Sequence, residues 1–360
     1  MTYIAPTTHI TPFATLRRDR MLPSTGEIIA LPGQRVEASD VVARAFAGQE
    51  HRIVDYGHAL GLPPEKADKL LVKRDGEPVK KGEPIAIAKG PLGLGKRVVA
   101  SPVDGVMLVA GDGRALLAAT DSVLELRAGL PGTIANVHPE RGVTIETTGA
   151  LIEGVWGNGQ NSFAVMRVLG TGLQDVLVPD SIEMSLRGAI LAVGQVQDPA
   201  ALRKAAEVGL RGLIVGSLNA ELLPAAEKLE LPLIVTDGFG EQGFSAPVFA
   251  MLGANDQKEV ALDARRWNRF TGARPEVIVF IPAPGQSPPP PTDGEALQVG
   301  KRVRIVRGAQ AGQSGTLSAL SEQAGVTGSG VRSRVAAVQL EGAAETPLVT
   351  IPFANLEILE

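Results

Sequence analysis

The architecture of this chain is clearest in residues 70–109, which read LLVKRDGEPVKKGEPIAIAKGPLGLGKRVVASPVDGVMLV. Short apolar runs rich in Val and Ile alternate with glycines that recur every five to ten residues. These glycines are Gly76, Gly82, Gly90, Gly95 and Gly105. Such runs, bounded by Gly and Pro, are typical of short strands joined by tight turns. We therefore predict small, tightly wound β-structure here.

An earlier segment repeats part of this pattern. Residues 29–43, IALPGQRVEASDVVA, align without a gap with residues 72–86, VKRDGEPVKKGEPIA, at a constant offset of 43. A glycine, a valine, an acidic residue, a β-branched residue and an alanine coincide in the two segments. Strand-turn patterns are common enough to match by chance, but five coincidences favour a duplicated β-element.

The two halves of the first stretch resemble a known family. One half carries Gly-x-x-Val-x-x-Gly-x-x-Ile-Ala, and the other carries Ser-Pro-x-x-Gly-x-Met. The matching residues are Gly76, Val79, Gly82, Ile85, Ala86, Ser101, Pro102, Gly105 and Met107. The pattern is similar to that of the barrel-sandwich hybrid of biotinyl and lipoyl carrier domains, which also occurs as a structural insert in bacterial complexes. The resemblance implies this fold. In carriers, the modified lysine stands beside Met or Asp, and Lys89 and Lys96 lack both neighbours. We therefore expect no attached cofactor.

The hairpin between these halves also fits the first seven positions of a phosphate-binding P-loop, from Gly90 to Lys96. The next position of a P-loop supplies a Ser or Thr hydroxyl to the metal, but Arg97 stands there. A P-loop must also open a helix, whose N-terminal amides hold the phosphate. The residues that follow, VVASPVDG, predict a strand and a turn. We interpret the segment as a hairpin tip.

Composition limits the classes of protein that the chain can belong to. It has 360 residues, a formal net charge of −4, 42 glycines, 26 prolines and no cysteine. The length allows several domains, and the Gly and Pro content indicates many turns. The charge gives no overall attraction to nucleic acid or anionic lipid. No apolar run approaches the ~20 residues that cross a bilayer. We expect a cytoplasmic protein without a membrane partner.

The predicted fold class is multidomain α+β. Residues 1–18 are predicted as an extended arm, 19–180 as a β-rich domain with the barrel-sandwich-like repeat, and 185–282 as a three-layer α/β domain. Residues 283–296, with four consecutive prolines, are predicted as a stiff linker, and 297–360 as a small barrel. In 185–282, apolar strands at 189–193, 212–216 and 232–237 alternate with helical segments at 198–209, 219–229 and 256–267, and a strand is expected at 275–281. This alternation indicates a parallel sheet.

Ligands bind beyond the carboxyl ends of parallel strands. The residues expected at those ends are Gly194, Gly216, Ser217, Asp237, Gly238 and Gly240. Residues 238–243 read Gly-x-Gly-x-x-Gly, but they follow the third strand of the unit, and Pro247 lies where a helix should already be established. Three interpretations are therefore kept for this segment: a glycine-rich structural loop, a nucleotide site or a site for a small acid. Asp237 is either a base in this crevice or a turn residue.

The C-terminal region has its own signature. Residues 299–317, VGKRVRIVRGAQAGQSGTL, resemble a KOW element, the strand-loop-strand unit of SH3-like barrels in elongation factors and ribosomal proteins. The glycines Gly308, Gly312 and Gly315 and the apolar Val303, Ile305 and Leu317 carry the resemblance. It implies contacts to RNA or protein through basic residues. These are Lys301, Arg302, Arg304, Arg307, Arg332 and Arg334. The negative charges of five glutamates in this region nearly cancel the positive charges of the six basic residues, so a protein ligand is as well supported as RNA.

The sequence contains no catalytic or metal-binding constellation. The four histidines are scattered, and neither a Gly-x-Ser-x-Gly elbow nor a His-Glu-x-x-His helix occurs. We therefore expect a non-enzymatic scaffold that docks on a larger intracellular complex through the barrel and the β-rich domain. The alternative is a ligand-responsive subunit or enzyme that binds a nucleotide or small acid in the α/β crevice.

Overall fold

A computed structural model describes residues 3–46, 51–89, 95–119, 123–268, 270–283, 285, 288–292, 294–321, 323–327, 330–341 and 348–359. These residues form a β-rich molecule with several sheets and few helices. The tip of the hairpin that fits a P-loop, residues 90–94, and parts of the proline-rich linker lie outside this set.

The strands up to residue 168 are β1 (Ile4–Ala5), β2 (Thr7–Thr8), β3 (Ile10–Met21), β4 (Gly26–Ile28), β5 (Arg35–Val36), β6 (Val41–Phe46), β7 (His51–Asp55), β8 (Pro78–Val79), β9 (Pro84–Lys89), β10 (Lys96–Ala100), β11 (Gly105–Gly111), β12 (Arg114–Ala119), β13 (Val123–Arg127), β14 (Gly132–His138), β15 (Gly142–Glu153), β16 (Trp156–Gly157) and β17 (Asn161–Val168). Two short helices, α1 (Tyr56–Leu60) and α2 (Pro64–Ala67), and a 3-10 turn at Asp68–Leu70 lie between β7 and β8.

The middle of the chain contains β18 (Ile190–Val196), α3 (Pro199–Val208), β19 (Gly212–Leu218), α4 (Leu223–Ala226), β20 (Leu233–Phe239), α5 (Ala246–Ala254), β21 (Glu259–Asp263) and β22 (Glu276–Phe280). The last part contains β23 (Glu295–Ala296), β24 (Arg302–Ile305), β25 (Ser314–Leu320), β26 (Gly325–Val326), β27 (Arg332–Ser333), β28 (Val335–Leu340), β29 (Leu348–Pro352) and β30 (Leu356–Leu359). Further 3-10 turns are at Pro179–Ser181, Met184–Leu186, Ala220–Leu222 and Phe353–Asn355.

The two segments that align in the sequence form strands at equivalent positions. Strands β5 and β6 have the same bounds as β8 and β9 when shifted by the same 43 residues. Each copy is completed by two later strands, since β6 pairs with β13 and β5 with β14, while β9 pairs with β10 and β8 with β11. The second copy lies between β6 and β13 in the chain. It is therefore inserted into the hairpin of the first copy.

The two copies also share their turn chemistry. Gly33 and Gly76 have φ of 77° and 82°, a left-handed conformation that glycine adopts without strain. Their amides donate to the carbonyls of Ile134 and Met107, at 2.8 and 2.7 Å. The two acceptor residues, Ile134 and Met107, have fully buried side chains in the cores of their respective copies. The coincident glycines in the sequence thus mark equivalent turns.

The largest sheet joins strands from both the β-rich and the central parts of the chain. Its order is β16-β20-β19-β18-β17-β21-β22-β15-β14-β5, and β3 also pairs with β15. Strands β17, β18, β19 and β20 run parallel to one another, whereas β17 pairs antiparallel with β21 on its other side. The parallel strands are therefore one part of a mixed sheet. A separate central α/β domain is not evident, which corrects the predicted fold class.

The local predictions for this part of the chain have mixed outcomes. Helix α3 has the expected ends, because the Asp198 side chain accepts from the amide of Ala200 and Gly209 closes the helix with φ of 80°. The helix predicted at 256–267 is wrong, because β21 occupies that segment. Conversely, Pro247 lies in the first turn of α5, where proline's missing amide is tolerated. The helix that the proline was expected to exclude is therefore present.

The C-terminal sheet also includes the start of the chain. Its order is β2-β30-β24-β25-β28-β29, and its apolar side chains form a separate core. Strand β2 pairs parallel with β30, β1 pairs with β23, and β3 continues into the large sheet. The predicted extended arm is thus paired at both sheets. The two sheets are therefore linked by the N-terminal strands β2 and β3 as well as by the chain between β22 and β23.

Candidate functional site

A cavity of about 480 Å³ lies between the large sheet and the C-terminal sheet. Its walls come from the end of β20, from β24 and the loop after it, from β30, and from the segment before β22. This size is within the usual range for small-molecule sites. The cavity lies at the carboxyl end of a parallel strand, where α/β sheets bind ligands. It therefore brings together one end of the predicted crevice and part of the predicted KOW element.

Asp237 is the acidic residue of the cavity wall that strand β20 supplies. The preceding residues of β20 are fully buried, and Asp237 itself is only 5% exposed. The Thr236 hydroxyl donates to Oδ2 of Asp237 at 2.7 Å, but Oδ1 accepts no hydrogen bond from a described residue. A buried carboxylate oxygen without a donor is costly. Because Oδ1 is also enclosed, the carboxylate of Asp237 faces the interior of the protein.

Arg304 approaches Asp237 from strand β24. Its side chain is 2% exposed, its Nε donates to Oε1 of Glu357 at 2.5 Å, and its Nη1 donates to the backbone oxygen of Thr236 at 2.8 Å. The Nη1 atom lies 3.9 Å from Oδ1 of Asp237. Burial tends to lower the pKa of Arg304, but the carboxylates of Glu357 and Asp237 outweigh it and raise the pKa. Arg304 is therefore a buried cation that ties the two sheets together.

A second arginine completes the buried cluster. Arg274 donates from Nη2 to Oε2 of Glu357 at 2.9 Å, and both side chains are almost fully buried. Burial alone would raise the pKa of Glu357, but the adjacent guanidiniums of Arg304 and Arg274 hold it below its ordinary value. We call Asp237, Arg274, Arg304 and Glu357 the buried ionic cluster. With two charges of each sign, it is neutral overall.

The cavity wall also contains aromatic side chains. Phe239 and Trp267 line it and are 42% and 50% exposed. The guanidinium carbon of Arg274 lies 5.7 Å from the centre of the Trp267 ring, within the range of a cation–π contact. Arg307, also in the wall, is exposed and makes no ion pair with a described residue. Among the described residues, the cavity therefore offers an aromatic surface and one available cation.

Only part of the predicted crevice reaches this cavity. Asp237 and Gly238 line it, but the chain itself covers the ends of β18 and β19. A Cβ on Gly194 would collide with the carbonyl of Leu173, and one on Gly216 would collide with the backbone of Gly243. These glycines therefore serve close packing of the backbone.

Ser217 and Gly240 are likewise used within the protein. The Ser217 hydroxyl is fully buried and donates to the carbonyl of Gly240 at 2.9 Å. That carbonyl also accepts from Nε2 of Gln197. The reading of residues 238–243 as a structural loop thus fits these contacts, whereas the ends of β18 and β19 leave no open crevice in the described residues.

The six basic residues predicted at the KOW element occupy different environments. Lys301 lies 2.7 Å from Glu295, and Arg302 lies 2.5 Å from Glu341. Arg334 lies over the ring of Phe353, 4.9 Å from its centre. Arg307 and Arg332 are exposed, but Arg304 is buried in the ionic cluster. A direct surface contact by Arg304 does not fit this position, because its charge is used inside the protein.

Four residues of the cavity wall were not predicted as site residues from the sequence: Phe239, Trp267, Arg274 and Glu357. For Glu357, the sequence does contain an indication of burial. Arg304 and Glu357 are charged residues within short apolar strands, and they face each other as cross-strand partners of β24 and β30. Opposite charges in two such strands indicate a buried pair. No comparable signal exists for Trp267 and Arg274, because they lie outside regular strands and helices.

Other site types find no support in the described residues. They contain no group of three or more His, Asp or Glu side chains arranged to hold a metal ion. None of their helices has the length and apolar character needed to cross a bilayer. A comparison with protein-family models gives no match, and neither does a comparison with curated proteins.

Proposed function

We propose that the protein binds a small planar organic acid in the cavity between its two sheets. The observation that carries this proposal is a cavity wall that presents two half-exposed aromatic rings, Phe239 and Trp267, together with the exposed Arg307, which makes no ion pair with a described residue. The ring of the ligand would pack against Trp267 and Phe239, and its acidic group would pair with Arg307.

The proposal develops the alternative expected from the sequence, a ligand-responsive subunit, and assigns no reaction to the cavity. Asp237 is hydrogen-bonded to Thr236 and paired with Arg304, Glu357 is paired with Arg304 and Arg274, and no histidine is among the described residues that line the cavity. General acid–base chemistry normally uses a second group of matched pKa. Binding is therefore the role that these contacts support best.

The two tryptophans of the chain provide the test. Trp267 lines the cavity, whereas Trp156 does not line it but packs on an apolar core of the large sheet and against the edge of Phe239. In a Trp156→Phe background, ligand binding should change the fluorescence of Trp267. A panel of planar carboxylic and phosphoric acids would be titrated into the full chain, and the melting temperature of each mixture measured, since binding to the folded state raises it.

A matched pair of glycine variants makes the test specific. A Cβ on Gly238 would meet nothing within 4 Å, and the residue lines the cavity. A Cβ on Gly253, in helix α5, also meets nothing within 4 Å. Gly238→Met should fill the cavity and abolish binding, while Gly253→Met should bind as the wild type does. If both variants bind equally, or if no acid in the panel binds, the proposal is wrong.

We also infer that the modules recognised in the sequence are present. The antiparallel strands β24, β25, β28, β29 and β30 around one apolar core support a KOW-type SH3-like barrel at 297–360. The two equivalent copies of the repeat support barrel-sandwich-hybrid modules within 19–180. The parallel strands β18, β19 and β20, with α3 packed on one face and α5 on the other, support a three-layer α/β unit built onto the larger sheet.

A scaffold function remains our second proposal, because one sheet face is apolar and exposed. In the sheet of the second repeat copy, Ile53 pairs with Leu116, which pairs with Val109. Ile53 is 71% exposed and Val109 is 53% exposed. A row of exposed apolar residues across a sheet is typical of a protein contact. Ile53→Lys should abolish recovery of a protein partner from lysate, whereas Ile4→Lys, at another exposed isoleucine, should not. Equal recovery would contradict this role.

RNA binding through the barrel would depend on Arg307 and Arg332. These are the two predicted contact residues that are exposed and make no ion pair with a described residue. Changing both to glutamate should abolish nuclease-sensitive recovery of RNA, because phosphate contacts provide most of such affinity. Recovery that survives the change would exclude this surface. A cytoplasmic location remains a prediction from the sequence, based on the absence of cysteine.

A further inference from the structure

A second cavity, of about 440 Å³, lies between the first repeat copy and the large sheet. Three arginines from distant parts of the chain line it: Arg20 from β3, Arg127 from the end of β13, and Arg211 from the turn before β19. We call this the arginine cavity. It shares no lining residue with the cavity at Asp237.

Positive charge exceeds negative charge around the arginine cavity. Asp263 is shared by Arg265, at 2.5 Å, and Arg20, at 3.6 Å. Glu125 is shared by Arg44 and Arg127, at 3.3 and 3.2 Å. Arg211 forms no ion pair or side-chain hydrogen bond with a described residue. Three arginines and two carboxylates thus line the cavity, Arg44 and Arg265 pair with those carboxylates from outside the lining, and the neighbouring pair of Arg18 and Glu276 is neutral.

Arg20 is the buried member of this set, and its charge is not fully compensated. Its side chain is 16% exposed, and its Nε donates to the carbonyl of Ala128 at 2.7 Å. Burial lowers the pKa of Arg20, and the attraction of Asp263 is not sufficient to restore it. An anion in the cavity would supply the missing attraction, since charge-assisted contacts are strongest where water is excluded.

The backbone beside Arg20 makes room for its guanidinium. Gly129 has φ of 69°, and a Cβ there would lie 3.0 Å from Nη2 of Arg20. Any larger residue would therefore press against the guanidinium. Nη2 forms no hydrogen bond with a described residue and is not fully enclosed. It can donate to a ligand in the cavity.

The remaining walls indicate the rest of the ligand. Phe163, Leu126 and Ala261 form an apolar side, and Ser162 and Asn161 add polar groups at one edge. A cavity of this volume holds a small organic molecule better than a bare ion. Guanidinium groups bind phosphate oxygens through paired donors. We propose that the arginine cavity binds a small organic molecule that carries a phosphate group.

The test uses inorganic pyrophosphate as the probe and isothermal titration calorimetry on the full chain. Wild-type protein should bind one pyrophosphate. Arg211→Ala should weaken binding about tenfold, the effect of losing one charge-assisted contact. Arg203→Ala is the matched control, because Arg203 is an exposed arginine on α3 that does not line the cavity. Both replaced side chains are exposed, so neither change removes core packing.

Three results would overturn the proposal. One is the absence of saturable pyrophosphate binding at millimolar concentration. Another is equal affinity in Arg211→Ala and Arg203→Ala. The third is loss of pyrophosphate binding in Gly238→Met with full binding retained in Arg211→Ala, because the anion would then occupy the cavity at Asp237. Since the two cavities share no residue, failure of one proposal leaves the other to its own test.

Discussion

Replacing Glu357 by glutamine would remove one negative charge from the buried ionic cluster while keeping the size of the side chain. Glu357 currently accepts from Arg304 at 2.5 Å and from Arg274 at 2.9 Å. After Glu357→Gln, Arg304 would keep the carboxylate of Asp237 at 3.9 Å, and Arg274 would lose its ion-pair partner, with Glu153 interacting electrostatically with both guanidiniums. The perturbation is therefore an uncompensated positive charge between the two sheets.

The expected loss follows from these contacts. A hydrogen bond to a charged group contributes about 1.5–3 kcal/mol, and two are weakened here. Breaking a buried ion pair by removing one partner costs about 3–5 kcal/mol by comparison with other proteins. We therefore expect the free energy of unfolding to fall by about 3–5 kcal/mol. That is a large fraction of the ~5–15 kcal/mol that stabilises an ordinary domain.

Urea denaturation followed by circular dichroism and by tryptophan fluorescence would measure this loss. The matched control is Glu341→Gln, because Glu341 forms a similar two-contact pair with Arg302 in the same sheet but is 39% exposed. We expect that change to cost less than about 1 kcal/mol. If Glu357→Gln costs no more than Glu341→Gln, the assignment of the cluster as a buried electrostatic link between the sheets is wrong.

The same variant has a defined pH dependence. The pKa of Glu357 is lowered in the folded protein, so the unfolded chain binds more protons as the pH falls below the ordinary value of 4.5. The stabilisation by Glu357 is therefore fully present above that pH and is lost as the pH falls through the lowered pKa. The difference in stability between wild type and Glu357→Gln should shrink over the same range. A difference that stays constant in acid would contradict the pairing.

Three further predictions concern other buried groups. Burial raises the pKa of Glu153 to about 7, above its ordinary value of 4.5, so the folded state binds more protons than the unfolded state between these pH values. The stability of the wild type should therefore fall as the pH rises from about 4.5 to 7. Urea midpoints of Glu153→Gln should not show this fall, and a variant with the same pH dependence as the wild type would refute the prediction. A Cβ at Gly105 would collide with the carbonyl of Ala118, whereas one at Gly111 in the same strand meets nothing within 4 Å. Gly105→Ala should therefore lower the free energy of unfolding, measured by urea denaturation, by about 2 kcal/mol, and Gly111→Ala should lower it by less than about 0.5 kcal/mol. Equal losses would refute the close approach of Gly105 to the Ala118 carbonyl. The side chain of Asn158 donates to the carbonyl of Leu231 and accepts from the amide of Leu233, at 2.9 and 3.1 Å. Asn158→Ala leaves these buried groups unpaired and should lower the free energy of unfolding by about 2–3 kcal/mol, with no change expected for the exposed Asn161→Ala.

Local features of the fold could be predicted because their causes lie close together in the sequence. The turn at Gly33 and the turn at Gly76 require left-handed glycine, and each is followed three residues later by a buried valine. The ends of helix α3 depend on Asp198, Pro199 and Gly209, which cap a segment of ten residues. In both cases the interacting groups are separated by few residues, so spacing alone indicates the structure.

Where prediction failed, the deciding contacts are distant in the chain. Residues 256–267 were predicted as a helix, but β21 is held as a strand between β17 and β22, with β17 about a hundred residues earlier. The ends of β18 and β19 were expected to be open, but the backbones near Leu173 and Gly243 close them. Tertiary packing overrides local preference in such cases, because burial of a whole strand outweighs the propensities of its residues.

The glycine turns, the cap residues of α3 and the apolar strands of the central region could all be inferred from the sequence. That the parallel strands belong to one mixed sheet with the β-rich part became evident in the folded protein alone. The same holds for Arg304, which was expected at the surface and is buried against Asp237 and Glu357. Strand pairing and burial of charge depend on which remote segments meet. A pattern of neighbouring residues does not contain that information, whereas turn geometry and helix capping depend on neighbours alone.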